Sequence, residues 1–391
     1  MRIENRLFPL LGISEKNGKT LKQVADLLDI PSERLKYYNA NNILPYDYDL
    51  LKLEKIFGIN QFEIMLAMGI LNSSLLNLIS INYKEISKII DSASIKETNE
   101  QINPVFKTSL GKLYEGDCVS LLNQLSEQSI DLIFADPPFN LDKMYESGIN
   151  DDLSKEDYLK WSEEWIDGCL RVLKDGGSMF IWNIPKWNTY LADYLNRRLT
   201  FRHWISVDIK FSLPIQGKLY PSHYSLLYYI KGDKANYFKP DRLPMEICKN
   251  CYKELKDYGG YKDKMNPGGI NLTDVWYDIP PVRHNKYKNR DANELSIKLI
   301  DRIIEMASKP GDTVFDPFGG SGTTYIVSEM KERKWIGVEL GSTKDIVTRF
   351  ENIDEERSQL KSIRNNLNKL FSNIIKEKRK QVKLWTDDSF K

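Results

Sequence analysis

Short apolar runs alternate with amphipathic helical stretches between Gly111 and Gly341. An uninterrupted apolar run predicts a buried strand, and apolar positions spaced three and four apart predict a helix. A clear helix is predicted over Asp157 to Val172. Alternation of strands and helices is typical of an α/β architecture. The predicted strands are Lys112 to Glu115, Asp131 to Ala135, Ser178 to Trp182, Trp204 to Ile209, Tyr224 to Ile230, Thr313 to Phe315 and Trp335 to Glu339.

The chain before this region is predicted to form short helices joined by tight turns. Pro31-Ser32-Glu33 starts a helix that carries Arg34 and Lys36, with Ser32 as its expected cap. The pattern resembles a helix-turn-helix of the phage-repressor type, so Arg34 and Lys36 are candidate DNA contacts. The alternative is a small helical bundle that only packs on its neighbour. One apolar face of the preceding helix is formed by Leu21, Val24, Ala25, Leu28 and Ile30.

These patterns divide the chain into four parts. Residues 1–71 form the helical domain, 72–104 a connector with one predicted helix, 105–345 the α/β domain and 346–391 a helical tail. A loop-rich insertion occupies residues 235–291 of the α/β domain. The tail has an apolar stripe that suits either a short coiled coil or a helix lying on its own domain.

Composition narrows the function classes. A chain of 391 residues has room for two or three domains, and its 56 basic and 55 acidic residues exclude a polycationic or polyanionic tail protein. There is no apolar run of membrane-spanning length and no signal-peptide pattern at the amino terminus. Four cysteines are too few for a disulfide framework. We therefore expect a cytoplasmic protein of a reducing compartment that does not associate with a membrane.

A glycine loop follows the predicted strand Thr313 to Phe315. Glycines allow close approach of the backbone to a ligand, and the amino terminus of the following helix favours a negative group. Glu339 ends the next strand, 17 residues beyond Gly322, where a Rossmann-type acid binds ribose hydroxyls. Tyr325 stands where a dinucleotide fingerprint has its third glycine, so a nucleoside cofactor other than NAD is expected. The loop reads Asp316, Pro317, Phe318, Gly319, Gly320, Ser321, Gly322, Thr323 and Thr324.

A second motif follows the predicted strand Asp131 to Ala135. Its residues are Asp136, Pro137, Pro138 and Phe139. The preceding run is apolar without alternation, as in a central parallel strand covered on both faces. The motif would then project from the carboxyl end of the sheet, where open α/β folds bind ligands. Taken alone, the motif would indicate only a proline-stiffened loop. Its occurrence together with the glycine loop indicates a functional site instead.

Together the two motifs resemble those of S-adenosylmethionine-dependent DNA amino-methyltransferases, over about Lys112 to Gly341. The catalytic motif precedes the cofactor loop, which resembles the β-group of that family. The resemblance implies a Rossmann-like methyltransferase fold with a circularly permuted, seven-stranded mixed sheet. Permutation is also expected from the chain itself, because no strand is predicted after Glu339 to complete a sheet begun at Thr313.

The resemblance further implies S-adenosyl-L-methionine as cofactor and the N6 amine of a flipped adenine as substrate. Asp136 and the Pro137 carbonyl would accept the two amine hydrogens, and Phe139 would stack on the base. Asp136 favours adenine over the alternative, cytosine N4. An alternative of another class is a DNA-binding regulator with a vestigial methyltransferase domain. Further residues implied at the cofactor are Asp117, Cys118 and Asn293.

Partners and recognition residues complete the expectations. Double-stranded DNA is the implied partner, within a restriction-modification or similar system, and a homodimer and a cognate restriction endonuclease are the protein partners that such an enzyme can have. No metal is expected, because the Cys248 and Cys251 pair lacks a second pair or suitably spaced histidines. A basic run in the insertion is the candidate DNA-reading segment, through Arg283, His284, Lys286, Lys288 and Arg290.

Overall fold

The computed structural model describes residues 7–14, 18–91, 101–141, 153–208, 216–217, 219, 222–246, 248, 250–251, 254–261, 264, 269–280, 294–367, 373–384 and 386. By its internal contacts the chain divides into two compact units, residues 1–98 and 99–391. Each unit is described by itself below. No helix in the described part of the chain combines the length and the apolar character that crossing a membrane requires.

The first unit is helical. Its core is formed by one face of each of the early helices, with Leu7, Leu35 and Leu53 fully buried. The predicted turn lies between the second and third helices, where Asp29 has a left-handed φ of 51° and Ile30 is buried. The connector segment contains two helices, one more than predicted. The helices are α1 Leu7–Leu10, α2 Gly18–Leu28, α3 Ser32–Asn41, α4 Asp47–Phe57, α5 Gln61–Ala67, α6 Ser73–Ile81 and α7 Tyr83–Asp91.

The second unit is built on a sheet of nine strands in the order β1-β2-β11-β10-β3-β4-β6-β5-β9. All seven predicted strands are present within it, and the sheet gains a short strand at each edge, β1 and β9. A separate ribbon joins β7 to β8. The strands are β1 Pro104–Lys107, β2 Gly111–Glu115, β3 Ile130–Ala135, β4 Leu173–Asn183, β5 Thr200–Asp208, β6 His223–Ile230, β7 Arg242–Leu243, β8 Ile270–Asn271, β9 Val275–Trp276, β10 Thr313–Asp316 and β11 Lys334–Glu339.

Helices cover both faces of this sheet, and each face has its own apolar core. The predicted helix over Asp157 to Val172 is confirmed and begins two residues earlier. The helices of the unit are α8 Cys118–Gln124, α9 Lys155–Val172, α10 Pro185–Asn196, α11 Ile297–Ala307, α12 Thr323–Met330, α13 Lys344–Glu351, α14 Ile353–Asn365 and α15 Asn373–Gln381.

The expected permutation is confirmed by the strand order. Strand β10, late in the chain, lies at the centre of the sheet and pairs in parallel with β11 on one side and β3 on the other. The chain runs from β10 through α12 to β11 in one direction, and from β3 through α9 to β4 in the other. Strand order therefore reverses between β10 and β3. Open α/β sheets bind ligands at such a switch point, beyond the carboxyl ends of the strands.

The insertion and the tail are both parts of the second unit. Most of the described insertion is loop, as predicted, but β9 joins the main sheet beside β5. In the tail, Leu360 of α14 is buried in the same core as α11, which fits a helix lying on its own domain. The stripe does not continue as one helix, because α14 ends at Asn365 and Ile374 of α15 is 72% exposed.

Candidate active site

Four acidic residues lie at the ends of neighbouring parallel strands. Glu115 ends β2 opposite Glu339 of β11, and Asp316 of β10 is paired with Gly337 of that strand. Phe315 of β10 is paired with Ile133 of β3, and Asp136, which follows β3, lies close enough to Asp316 for its charge to contribute to the raised pKa of that carboxyl. The two motifs, about 180 residues apart in the chain, thus meet at one edge of the sheet.

The glycine loop is held against the end of β11 by Glu339. The backbone amide of Gly320 donates to Glu339 Oε2 at 2.6 Å, and that of Gly341 donates to Oε1 at 3.0 Å. Gly320 and Gly322 have left-handed φ values of 54° and 78°, which a side chain would strain. A carboxylate offers about four lone-pair sites, so Glu339 can still accept hydrogen bonds from a ligand.

Tyr325 explains why the third glycine of a dinucleotide fingerprint is not needed. The Tyr325 hydroxyl donates to the Asp316 carbonyl at 3.0 Å and accepts from the Val338 amide at 3.1 Å. The ring of Tyr325 lies against Gly337, where an added Cβ would be only 2.3 Å from a ring carbon. Close packing of helix on strand is therefore achieved with the glycine on the strand and the large side chain on the helix.

Asp316 is a buried carboxyl beneath the loop, with 3% of its surface exposed. Its Oδ1 accepts the Phe318 amide at 2.9 Å. Burial nevertheless raises the pKa of Asp316 well above its usual range, and the nearby charges of Asp136 and Glu339 act in the same direction. The carboxyl edge of the sheet is thus acidic, which suits a ligand that carries positive charge.

The Asp-Pro-Pro-Phe motif is fixed by hydrogen bonds to its later carbonyls. The Tyr158 hydroxyl of α9 donates to the Pro138 carbonyl at 2.7 Å, and Trp187 Nε1 of α10 donates to the Phe139 carbonyl at 2.6 Å. Asp136, which is half-buried, and the Pro137 carbonyl are neighbouring acceptors on a backbone that these two hydrogen bonds hold in place.

Aromatic rings line one side of the motif. The ring centroid of Phe139 is 5.9 Å from that of Tyr224, which in turn is 4.9 Å from that of Trp182. Tyr224 lies near the start of β6. In the segment between β5 and β6, residues 209–215, 218 and 220–221 lie outside the described residues. Phe139 is partly buried, with an apolar face beside the two acceptors.

Of the remaining predicted cofactor residues that the structure describes, one caps a helix and the others have buried side chains. Asp117 caps α8, its Oδ2 accepting the Ser120 amide at 2.9 Å. Cys118 points into the core, where burial raises the pKa of its thiol. The side chains of Ser321, Thr323 and Thr324 are buried as well.

The candidate DNA contacts fall into two groups. Arg34 lies 3.3 Å from the buried Asp49, which offsets its charge, and Lys36 pairs with Glu33 at 2.7 Å on the surface. The others lie outside the described residues, namely Arg283, His284, Lys286, Lys288 and Arg290, together with the cofactor candidate Asn293. Among described residues, no cluster of three or more His, Cys, Asp or Glu side chains is arranged to hold a metal ion.

Sequence reasoning missed the residues that hold the motifs. Tyr158 and Trp187 are buried helix residues, so their spacing alone indicates only core positions. Asn183 supports Tyr158, its amide donating to the Tyr158 hydroxyl at 3.1 Å. A polar residue at the end of an apolar strand was the signal that could have indicated Asn183. Arg349, which contacts the glycine loop, lies in the charged tail and gave no comparable signal.

Comparison with known proteins identifies this arrangement. A family model described as DNA methylase matches residues 130–345, which is more than half of the chain and includes both motifs. The chain belongs to this DNA methylase family. It is 51% identical over 368 residues to the type II methyltransferase M.BamHI of Bacillus amyloliquefaciens, covering 93% of this chain and 87% of that protein.

Two more distant matches are also named as DNA methyltransferases. The DNA adenine methyltransferase YhdJ of Escherichia coli is 33% identical over 239 residues, covering 59% of this chain and 78% of that protein. The solved PvuII DNA methyltransferase, described as cytosine-N4-specific, is 20% identical with a TM-score of 0.47, covering 67% of this chain and 96% of that one.

This DNA methylase is therefore an enzyme that acts on DNA and takes its methyl group from S-adenosyl-L-methionine. Its relatives include type II methyltransferases, which is the class of restriction-modification systems. The predictions of a DNA methyltransferase and of its cofactor are confirmed. A DNA-binding regulator with a vestigial domain is not favoured.

Proposed function

We propose that this DNA methylase transfers a methyl group to the N6 amine of an adenine flipped out of duplex DNA. The observation that carries the proposal is the pair of acceptors at Asp136 and the Pro137 carbonyl, beside the Phe139 ring and next to Asp316 at the start of the glycine loop. A base inside a duplex cannot reach such a recess, so it must be extruded, and stacking on Phe139 offsets part of the unpairing cost.

Asp136 and Pro137 would activate the amine. An exocyclic amine is a poor nucleophile because its lone pair is delocalised into the ring. Two acceptors that bind its hydrogens orient the lone pair and stabilise the positive charge that develops on nitrogen. Tyr158 and Trp187 hold the two following carbonyls at 2.7 and 2.6 Å, so the acceptors are positioned before substrate arrives. The bound cofactor supplies an electrophilic sulfonium methyl.

The glycine loop and the adjoining strand ends would bind the cofactor. Glu339 would accept the ribose hydroxyls, and Asp117 would lie at the adenine amine. The backbone of Phe318 to Thr324 would follow the cofactor, with the carboxylates of Glu339 and Asp136 on either side of the buried Asp316. A cofactor that carries a sulfonium and an ammonium group suits this acidic edge.

The most detailed part of the proposal is which base is methylated. Asp136 as the first motif residue and the adenine-specific name of the E. coli relative support adenine. Cytosine N4 is the second candidate, because the described groups face features that both bases share, an amine and a ring face.

DNA would be bound through additional segments. The basic run of the insertion is proposed to contact phosphates and base edges through Arg283, His284, Lys286, Lys288 and Arg290. The helical unit of residues 1–98 is proposed to add DNA affinity. Arg34 is paired with the buried Asp49 and Lys36 with the exposed Glu33, and because the exposed pair is the weaker one, Lys36 is the stronger phosphate candidate.

Nucleoside analysis of methylated DNA tests the function directly. Genomic DNA from a methylation-deficient host that expresses the chain is digested to nucleosides and separated by mass spectrometry. N6-methyladenine above the empty-vector control, absent with Asp136→Ala, is the expected result. Detection of N4-methylcytosine instead would favour the second candidate. If neither methylated base is found, the assignment of the catalytic motif is contradicted.

A further inference from the structure

One buried arginine joins the helical tail to the glycine loop. Arg349 lies on α13, and its side chain is 4% exposed. Its Nη1 donates to the Ser321 carbonyl at 2.8 Å and to the Thr323 hydroxyl at 2.9 Å. These two acceptors flank Gly322, so the guanidinium holds the loop on both sides of its left-handed residue.

Glu356 of α14 holds the opposite side of the guanidinium. Arg349 Nη2 donates to Glu356 Oε2 at 3.0 Å, and Nε donates to Oε1. A two-point contact of this kind fixes the plane of the guanidinium. The Glu356 side chain is only 12% exposed, so each charge depends on the other for compensation.

An apolar contact reinforces the same junction. Gly322 has a φ of 78°, and a Cβ added there would be 2.7 Å from Cγ2 of Ile346 on α13. Helix α13 therefore touches the loop through Ile346 as well as through Arg349. The loop conformation depends on residues beyond 345, where the match to the family model ends.

We propose that Arg349, oriented by Glu356, is a positioning residue that preorganises the glycine loop for S-adenosyl-L-methionine. The inference rests on the proposed placement of the cofactor at this loop. Arg349 bonds to the loop's own carbonyl and hydroxyl, so it acts by fixing the backbone amides rather than by touching the cofactor. Fixing a binding loop in advance lowers the entropy lost when ligand binds.

The test compares the cofactor affinity of variants at Arg349 and Glu356 with that of control variants elsewhere. Arg349→Met alone leaves Glu356 buried without its partner and can fail to fold, so the decisive variant is the double substitution Arg349→Met with Glu356→Leu. Calorimetry should show its dissociation constant for S-adenosyl-L-methionine raised about ten- to a hundredfold. Single-turnover methyl transfer at saturating cofactor should stay near the parental rate, because the catalytic motif is untouched. Arg349→Lys, which keeps one donor for the Ser321 carbonyl, should recover part of the affinity.

Arg364→Met is the matched control. Arg364 lies on α14, where it pairs with Asp241 at 2.7 Å and with Asp301 but does not contact the loop. The Arg364→Met substitution should lower the melting temperature and leave cofactor affinity unchanged. Parental affinity in the double variant, or an equal loss with Arg364→Met, would overturn the positioning role. Glu339→Ala is measured in parallel: unchanged affinity there would instead show that the cofactor placement itself is wrong.

Discussion

Glu339 should be the side chain on which cofactor affinity depends most. It is proposed to accept the ribose hydroxyls, and it already accepts the Gly320 amide at 2.6 Å. Glu339→Ala therefore removes a ligand contact and a loop contact together. Losing hydrogen bonds to a charged group costs about 1.5–3 kcal/mol, and about 1.4 kcal/mol corresponds to a tenfold change in affinity.

Two substitutions separate these contributions. Glu339→Ala should raise the dissociation constant for S-adenosyl-L-methionine about a hundredfold, near the upper end of that range. Glu339→Gln keeps one acceptor oxygen but loses the charge, so a rise of about tenfold is expected. Titration calorimetry on the full chain without DNA measures both constants directly.

Glu115→Gln provides the control. Glu115 is level with Glu339 on the adjacent strand, but its carboxylate accepts from the Thr343 amide and hydroxyl, at 3.2 and 3.0 Å, rather than from the glycine loop. Its substitution should leave cofactor affinity within about twofold of the parent. Unchanged affinity in Glu339→Ala, or an equal loss in Glu115→Gln, would refute the assigned role of Glu339.

Three further predictions address chemistry, DNA binding and pH. Asp136→Ala should lower the single-turnover rate by orders of magnitude while cofactor binding stays nearly intact. Phe139→Ala should lower the rate and also weaken productive DNA binding, whereas Phe139→Trp should retain much of the rate and of the binding. Transfer of labelled methyl measures the rate, and titration with DNA measures the binding. Deleting residues 1–98 should weaken DNA binding and reduce its dependence on salt while cofactor affinity persists, and identical salt slopes would contradict a DNA role for that unit. The raised pKa of Asp316 means that the folded protein keeps a proton which the unfolded chain releases above about pH 4. The free energy of unfolding should therefore fall as pH rises from about 4 toward that raised pKa. In Asp316→Asn the denaturant midpoint should depend less on pH over this range.

Local patterns were sufficient for the strands and for both motifs. Most of the seven predicted strands are apolar runs, and both motifs join a strand directly to polar or glycine-rich residues. The edge strand β9 was missed because it has only two residues, and β1 because it begins with a proline and alternates between half-buried and exposed positions. Strands this short are stabilised by pairing with a neighbour, which no local pattern reveals.

Residues that act across the fold could not be predicted in the same way. Tyr158 and Trp187 bind carbonyls of the catalytic motif, yet a buried aromatic residue in a helix looks like any core position. Arg349 and Glu356 lie on different helices of a charged tail, where their composition suggests a solvated surface. Tertiary contacts decide their role, and the sequence contains only their identities.

The meeting of the two motifs depends on a contact at the other end of the strands. Asp131, next to the start of β3, accepts the Thr313 amide of β10 at 2.9 Å and the Lys174 ammonium of β4 at 2.8 Å. It therefore joins three strands at their amino ends and fixes β10 beside β3 in the observed register. A slip by one residue would turn every side chain of a strand to the opposite face. In this register the carboxyl ends of β10 and β3 lie side by side, so strand pairing brings the two motifs together whichever of them comes first in the chain.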